Sequence, residues 1–245
     1  MHRRGGGIDA VLLETDDLTR SFGGIRAVDH LAMTIARGEL RCLIGPNGAG
    51  KSTFFSLLTG LHKPDAGRVL FKGEDITYLP PFLRVRRGLS LKFQNVRIYR
   101  ELTVRQHLLV AGTSNRDVEG RNGQVGWALH TLGLDRELER LARELPHSSQ
   151  QWLEICLALA TGPDLLLLDE PTAGMTPEET AVTAEFVVRL NSQGMTVIVV
   201  EHDMAFVRHI ARQITVMHYG RVFAEGTLAE IESNQDVRRI YLGEQ

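Results

Sequence analysis

A glycine-rich loop near residue 45 constrains this chain more than any other part of its sequence. The loop fits the pattern G-x-x-x-x-G-K-S/T and reads Gly45-Pro46-Asn47-Gly48-Ala49-Gly50-Lys51-Ser52. An apolar run, Glu39–Gly45, precedes it, and a helical pattern follows from about Gly50 to Thr59. Glycines let the backbone wrap tightly so that successive N–H groups point at phosphate oxygens, and the helix N-terminus adds a positive dipole end. The loop therefore predicts a phosphate site between a strand and a helix.

Within this loop, two side chains have predicted roles. We expect the Lys51 ammonium to reach the β- and γ-phosphates of a nucleotide and the Ser52 hydroxyl to ligate Mg²⁺. The alternative is a glycine-rich turn with an incidental lysine, and the strand–loop–helix setting makes it the weaker interpretation.

Acidic residues follow a second apolar run, Leu165–Leu168. Four leucines bounded by acid and proline predict a fully buried central strand. A carboxylate at the end of such a strand can hold Mg²⁺, which is the role expected for Asp169, while Glu170 is placed to act as general base. His202 follows the predicted strand Thr196–Val200, at the sheet edge where ligands gather, and could contact the γ-phosphate. The alternative is that both acids are simply solvated at a strand end.

The order of predicted elements indicates an α/β fold. Strand patterns at Val11–Leu18 and Ala27–Ile35 open the chain, and strands alternating with helices predict a parallel sheet with a helical insertion. Between about Asn95 and Thr161 helical patterns dominate, at Val104–Ala111, Val125–Leu132 and Gln150–Ala160, with a polar loop over Thr113–Gly123. Residues 1–10 are basic and glycine-rich, which predicts a flexible tail before a domain over 11–245.

Composition excludes several classes of protein. The chain has 245 residues with 28 Lys+Arg against 30 Asp+Glu, and this balance argues against a dedicated nucleic-acid binder. Cys42 and Cys156 lie far apart in sequence, which favours buried thiols in a reducing cytosol over a disulfide. No apolar stretch approaches the ~20 residues of a membrane-spanning helix, so work at a membrane would need a partner.

Taken together, the motifs resemble the nucleotide-binding subunits of ABC transporters over nearly the whole chain. The resemblance implies a P-loop NTPase fold with a parallel core sheet, N-terminal antiparallel strands and an inserted helical subdomain over about 95–161. It also implies ATP and Mg²⁺ as ligands and ATP hydrolysis as the activity. Gly45, Pro46, Asn47, Gly48, Ala49, Gly50, Lys51, Ser52 and Thr53 match the nucleotide-binding Walker A segment.

The remaining family motifs match single residues. Phe22 matches the aromatic residue that stacks on adenine, and Gln94 matches the glutamine that touches Mg²⁺ and the attacking water. Asp169 matches the Walker B metal ligand, Glu170 the catalytic glutamate and His202 the switch histidine. Val96, Ile98, Leu102 and Val104 follow Gln94 and are candidates for a groove that receives a permease helix, although core packing explains some of them equally well.

Within the family, the chain looks most like the urea-type importer ATPases, with branched-chain amino-acid importers as the alternative. Segments such as Gln151-Trp152-Leu153-Glu154-Ile155 lean toward the urea type. The implied partners are transmembrane permease subunits and, indirectly, an extracytoplasmic solute-binding protein, with no nucleic acid. The implied location is peripheral, at the cytoplasmic face of the inner membrane. A soluble ABC ATPase acting on ribosomes or DNA is a weaker alternative, because those proteins usually carry two cassettes or a long insertion.

One segment departs from the family pattern. The signature normally reads Leu-Ser-Gly-Gly-Gln or Leu-Ser-His-Gly-Gln, whereas this chain has Leu145-Pro146-His147-Ser148-Ser149. Proline has neither an N–H nor a hydroxyl, and Ser148 adds a side chain where the backbone should approach a phosphate. We expect Ser148 or Ser149 to cap the following helix.

Because ABC cassettes pair head to tail, the degenerate signature predicts a heterodimer with a second cassette whose signature is intact. One alternative is that other contacts tolerate the change and both sites work. Another is a regulatory cassette that binds ATP without hydrolysing it. A separate basic cluster, Arg84, Arg86 and Arg87, is expected to be a solvated helix face rather than a lipid contact.

Overall fold

Two sheets with helices around them form the architecture. The computed structural model describes residues 11–94, 96–112 and 119–242. The predicted tail 1–10 lies outside these residues, and so does most of the predicted loop Thr113–Gly123. The limits expected for the helical subdomain, about 95 and 161, stay a prediction.

The smaller sheet is antiparallel and begins the chain. Its strand order is β2-β1-β4-β5, and its strands are β1 (Val11–Phe22), β2 (Ile25–Ala36), β4 (Ala66–Phe71) and β5 (Glu74–Asp75). The first two strands are longer than the sequence indicated because their pairing continues to Phe22 and Ile25 at the hairpin end. The antiparallel opening that the family resemblance implied is confirmed.

The larger sheet is mostly parallel and carries the site. Its strand order is β10-β9-β3-β8-β7-β6, and its strands are β3 (Leu40–Ile44), β6 (Leu89–Lys92), β7 (Leu165–Asp169), β8 (Thr196–Val200), β9 (Gln213–His218) and β10 (Arg221–Gly226). Only the β9–β10 pair is antiparallel among these described strands. Every residue of β3, β7 and β8 is buried, as expected for central strands covered on both faces. The carboxyl ends of β3, β6, β7 and β8 therefore meet at one edge.

Helices cover the larger sheet and extend beyond it. They are α1 (Lys51–Thr59), α2 (Pro81–Arg86), α3 (Val104–Gly112), α4 (Glu119–Thr131), α5 (His147–Ala160), α6 (Pro177–Ser192), α7 (Met204–Ile210), α8 (Leu228–Ser233) and α9 (Gln235–Leu242). Helix α4 begins six residues before the predicted start at Val125, and the added residues include polar residues and glycine of low intrinsic helix propensity, which the sequence pattern did not favour. Over the described ranges, no helix combines the length and the apolarity needed to cross a bilayer.

Two hydrophobic cores lie on opposite sides of the larger sheet. The first packs the antiparallel sheet and α1 against it through residues such as Leu13, Phe54 and Leu167. The second packs the remaining helices on its other face, with Leu168 and Cys156 among its buried members. Burial raises the pKa of both cysteine thiols to about 12, so the prediction of buried, unpaired thiols is confirmed.

Arg84 corrects the expectation of a solvated basic face. Its side chain is 1% exposed, and its guanidinium donates to the carbonyl oxygens of Leu57, Leu58, Thr77 and Leu79 at 2.6–2.9 Å. Two of these acceptors lie in the last turn of α1, where carbonyls lack the usual donor four residues along the helix, and Leu57 also accepts the N–H of the C-cap Gly60. The arginine therefore caps the C-terminus of the helix that begins at the phosphate loop, whereas Arg86 is exposed as expected.

Candidate active site

The glycines of the loop between β3 and α1 are fixed by close backbone approach. Gly45 has φ 155° and Gly50 has φ 100°. A Cβ on Gly45 would overlap the carbonyl oxygen of Met217, and a Cβ on Gly50 would overlap that of Ala27. Only glycine fits at these two positions, so the loop is held tightly against β9 and β2 while its outer face stays open.

Lys51 lies at the first position of α1 with its ammonium turned into the loop. Its Nζ donates to the carbonyl oxygens of Gly45 at 2.6 Å and Pro46 at 3.1 Å. Burial lowers the pKa of Lys51, and the nearby carboxylates of Glu170 and Asp169 oppose that shift. Among the described residues, no side chain caps the N-terminus of α1, and its first turn holds no acidic residue. The loop thus combines a lysine ammonium with the positive end of a helix, which suits an anion.

A cavity of about 360 Å³ opens over this loop. It is lined by Ala27, Asn47, Gly48, Ala49, Gly50, Lys51, Ser52, Thr53, Gln94 and Glu170. Loop residues and two of the predicted catalytic residues therefore meet around one space. Five other predicted site residues are not among its lining residues, namely Gly45, Pro46, Phe22, Asp169 and His202.

Asp169 ends β7 directly beside this cavity. It is 8% exposed, and its Oδ1 is buried without a hydrogen-bond partner in the described part of the chain. Burial raises the pKa of its carboxyl to about 6, with the Glu170 charge adding to the shift and Lys92 and Lys51 opposing it. A buried carboxylate oxygen without a donor is the kind of ligand that suits a hard cation such as Mg²⁺, and the exposed residue Ser52 lines the cavity.

Glu170 follows β7 in a left-handed conformation. Its φ is 44°, which is uncommon for a residue with a side chain, and its N–H donates to the Val200 carbonyl at 2.9 Å. Gln94 Nε2 donates to Glu170 Oε2 at 2.7 Å, and His202 Nδ1 lies 3.7 Å from Glu170 Oε1. Three predicted catalytic side chains from the ends of β6, β7 and β8 are thus brought together.

Glu201 is a site residue that sequence reasoning missed. Its side chain is 1% exposed and accepts hydrogen bonds from the N–H and hydroxyl of Thr172 and from the N–H of His202. This buried carboxylate fixes the segments that follow β7 and β8. Its place at the end of a predicted strand, one residue before His202, was the available signal.

Phe22 lies at the end of β1 and does not line the phosphate cavity. Its ring is 40% exposed and meets the His62 ring at a centroid distance of 5.2 Å, and the Arg20 guanidinium lies 4.7 Å from its centroid. The Phe22 ring is therefore exposed near the start of the domain, but it is not among the residues that line the cavity over the glycine-rich loop. Its match to an adenine-stacking residue stays a prediction.

The degenerate signature lies at the start of α5. Pro146 is the N-cap, and no side chain caps this helix, so the expectation that Ser148 or Ser149 would do so is wrong. Ser148 is 4% exposed and its hydroxyl donates to Glu179 Oε1 at 2.6 Å. The capping box of α6 holds Glu179 in place, because the Thr176 N–H donates to its other oxygen, Oε2. The added side chain of Ser148 is therefore buried against α6 rather than projecting from the helix end.

Comparison with known proteins agrees with this geometry. The family model described as ABC transporter matches residues 28–173, which is more than half of the chain. The high-affinity branched-chain amino acid transport ATP-binding protein LivG of Escherichia coli strain K12 is 37% identical over 251 aligned residues, covering 95% of this chain and 98% of LivG.

Solved structures show the same fold. A nucleotide-free ATP-binding cassette from an ABC transporter has a TM-score of 0.85 and 30% identity, with 96% of this chain and all of that chain covered. A bacterial ABC transporter cassette solved as a dimer has a TM-score of 0.77 and 25% identity, covering 89% of this chain and 99% of that chain.

Proposed function

The chain belongs to the ABC transporter family, whose cassettes are ATPases, and on that premise we propose that it binds and hydrolyses MgATP to drive a branched-chain amino-acid importer. The observation that carries the ATPase part is the convergence of Lys51, Gln94 and Glu170 on one cavity over a glycine-fixed loop. A regulatory cassette that only binds ATP is less well supported, because Glu170 has two polar partners that hold its carboxylate at the cavity.

Binding of the triphosphate begins at the loop. Phosphate oxygens replace the carbonyls of Gly45 and Pro46 as partners of the Lys51 ammonium, and the backbone N–H groups at the start of α1 donate hydrogen bonds to further phosphate oxygens. Because the loop is already shaped by Gly45 and Gly50, little ordering is needed on binding. Ser52 and Thr53 line the same space and complete the cradle.

Hydrolysis is assigned to the carboxylate of Glu170. It accepts the proton of a water held between it and the γ-phosphate, while Gln94 donates to its second oxygen and fixes its orientation. His202 lies on the other side of the carboxylate and donates toward the developing charge. A magnesium ion would be held by Asp169, Ser52 and Gln94, and when bound it supplies neutralisation of charge on the phosphates.

The cargo is inferred from a relative rather than from the site. LivG is a branched-chain amino acid transport protein by name, and it aligns over almost the full length of both chains. The urea-type assignment expected from short segments has no such support, so the alternative stated with it becomes the preferred one. The permease and an extracytoplasmic binding protein would select the cargo, because this subunit does not contact it.

A groove between the larger sheet and the helical region is the proposed permease site. It has a volume of about 370 Å³, and Leu61, Phe82, Val85 and Leu157 are among its apolar lining residues. This differs from the four positions expected from sequence, since Val104 is fully buried in the core and Ile98 packs against it. Docking there would hold the chain peripherally at the cytoplasmic face of the inner membrane.

The second cassette is proposed to be a different chain. A related cassette is known as a dimer, and head-to-tail pairing places the start of α5 over the partner's nucleotide. Pro146 offers no hydroxyl at the helix start, so this chain gives the partner's site one donor fewer. Pro146 alone supports this heterodimer, because the Ser148 hydroxyl is hydrogen-bonded to Glu179.

Transport assays with labelled cargo test this proposal. Cells carrying the complete transport system should take up labelled leucine, and Lys51→Ala should abolish that uptake. Labelled urea serves as the competing cargo. Urea uptake that depends on Lys51, with no leucine uptake, would restore the first assignment. Leucine uptake unaffected by Lys51→Ala would contradict the proposed function itself.

A further inference from the structure

A buried lysine lies directly behind the acid at the end of β7. Lys92 is 1% exposed and is the last residue of β6, where it pairs in register with Leu168. Its Nζ lies 3.4 Å from the Asp169 carbonyl oxygen and 3.5 Å from that of Glu170. Fully buried lysines are rare unless they are paired, so specific partners must stabilise this ammonium.

We propose that Lys92 is a positioning residue for hydrolysis, holding the 169–170 backbone so that the Glu170 carboxylate is aimed into the nucleotide cavity. This inference rests on the proposed function, in which Glu170 is the general base. Lys92 acts through the backbone of Glu170 and contacts no reacting atom.

The conformation of Glu170 is the reason a support is needed. A φ of 44° at a residue with a side chain costs of the order of 1 kcal/mol or more, and it persists only where surrounding groups stabilise it. An ammonium below two successive carbonyl oxygens stabilises that turn by charge–dipole attraction. The same turn brings the Glu170 carboxylate to Gln94.

Helix α5 supplies the counter-charge. Glu154 is 8% exposed, one of its oxygens accepts the Arg97 N–H, and its Oε2 is buried without a hydrogen-bond partner in the residues described. Burial lowers the pKa of Lys92 to about 8, and among the charges that oppose this shift Glu154 has the largest effect, followed by Asp169, Glu201 and Glu170. The charges that act on the Lys92 ammonium therefore come both from the end of β7 and from the helix that begins at the signature, although Glu154 forms no direct ion pair with Lys92 in the described residues.

The position of this pair links two surfaces of the protein. Lys92 and Glu154 both line the groove proposed for the permease, whereas Glu170 lines the nucleotide cavity. Displacement of α5 would change the distance between Glu154 and Lys92 and therefore the hold of Lys92 on the carbonyls. The pair makes the aim of Glu170 depend on the position of α5.

ATP hydrolysis by the assembled transport complex tests the assignment. Lys92→Met should lower kcat about tenfold, the scale expected when a catalytic group is slightly misplaced, with KM for ATP within about twofold. Lys63→Met, which removes an exposed lysine, is the matched control and should leave both constants unchanged. The double variant Lys92→Met/Glu154→Met removes both buried charges, so neither charge is left without the other. It serves as the test if the single variant is unstable, and it should show the same loss of kcat.

A Glu170→Gln background separates positioning from general structural damage. If Lys92 acts through Glu170, Lys92→Met should reduce the residual rate less than twofold there. A kcat within twofold of the unmodified complex, or an equal loss in both backgrounds, overturns the inference alone. A complex with no ATP hydrolysis before any substitution overturns the proposed function and this inference with it.

Discussion

Replacing Arg84 by methionine tests whether a buried guanidinium caps the helix that carries Lys51. The substitution keeps the apolar stem but leaves the carbonyl oxygens of Leu58, Thr77 and Leu79 without their donor, whereas the Leu57 carbonyl keeps the Gly60 N–H at 3.3 Å. At about 1 kcal/mol for each unsatisfied buried acceptor, the loss is about 3 kcal/mol. A neutral side chain no longer incurs the desolvation of a charge, which reduces the net loss to roughly 2 kcal/mol.

Urea unfolding followed by far-UV circular dichroism measures this loss. With a slope of roughly 3 kcal/mol per molar for a chain of this size, the midpoint should fall by about 0.7 M. Arg86→Met, two residues along the same helix, is the matched control. Its guanidinium lies over the exposed Phe82 ring, 5.8 Å from the centroid, so its loss should stay below about 1 kcal/mol. Equal midpoints for the two variants would refute the capping role of Arg84.

Three further changes address the site itself. Gly50→Ala should weaken ATP binding at least about tenfold because its Cβ would overlap Ala27, whereas Gly73→Ala, which has a similar positive φ and open space, should leave binding intact in equilibrium dialysis. Pro146→Ser should raise ATP turnover of the assembled complex while Ser148→Gly alone should not, and no gain from Pro146→Ser would count against an asymmetric dimer. Asp169→Asn should weaken the dependence of ATP binding on Mg²⁺ in a titration of the metal, and an unchanged magnesium curve would remove Asp169 from the metal site.

The sequence predicted the large sheet well because its strands are short, apolar and bounded by polar residues. The glycine loop and the acids at the end of β7 were found for the same reason, because each comes at the end of a buried apolar strand, where a glycine or an acidic residue ends the apolar run. Helices α8 and α9, which are six and eight residues long, were not predicted, and α2 was predicted only as the basic helix face around Arg84. Helix α8 did have a signal, the capping box from Thr227 to Glu230, which sequence reasoning passed over.

Side-chain direction and backbone strain were beyond sequence reasoning. Nothing in the local pattern shows that Arg84 turns inward to α1, because the carbonyls that attract it belong to distant residues. The left-handed φ of Glu170 and the inward turn of Ser148 likewise depend on tertiary partners, Val200 and Glu179 respectively. Residues whose role depends on such contacts, Lys92 and Glu201 among them, become visible only when the strands are placed side by side.

The central claim is that one cavity binds the triphosphate through Lys51 and that Glu170 acts as the general base that activates the attacking water. Single-turnover hydrolysis of labelled ATP by the assembled complex, with ATP affinity measured in parallel, tests both parts at once. Glu170→Gln should keep the affinity and lower the hydrolysis rate about a thousandfold, while Lys51→Ala should lose the affinity. A Glu170→Gln complex that hydrolyses ATP at the unmodified rate, or a Lys51→Ala complex that binds ATP normally, would contradict the account.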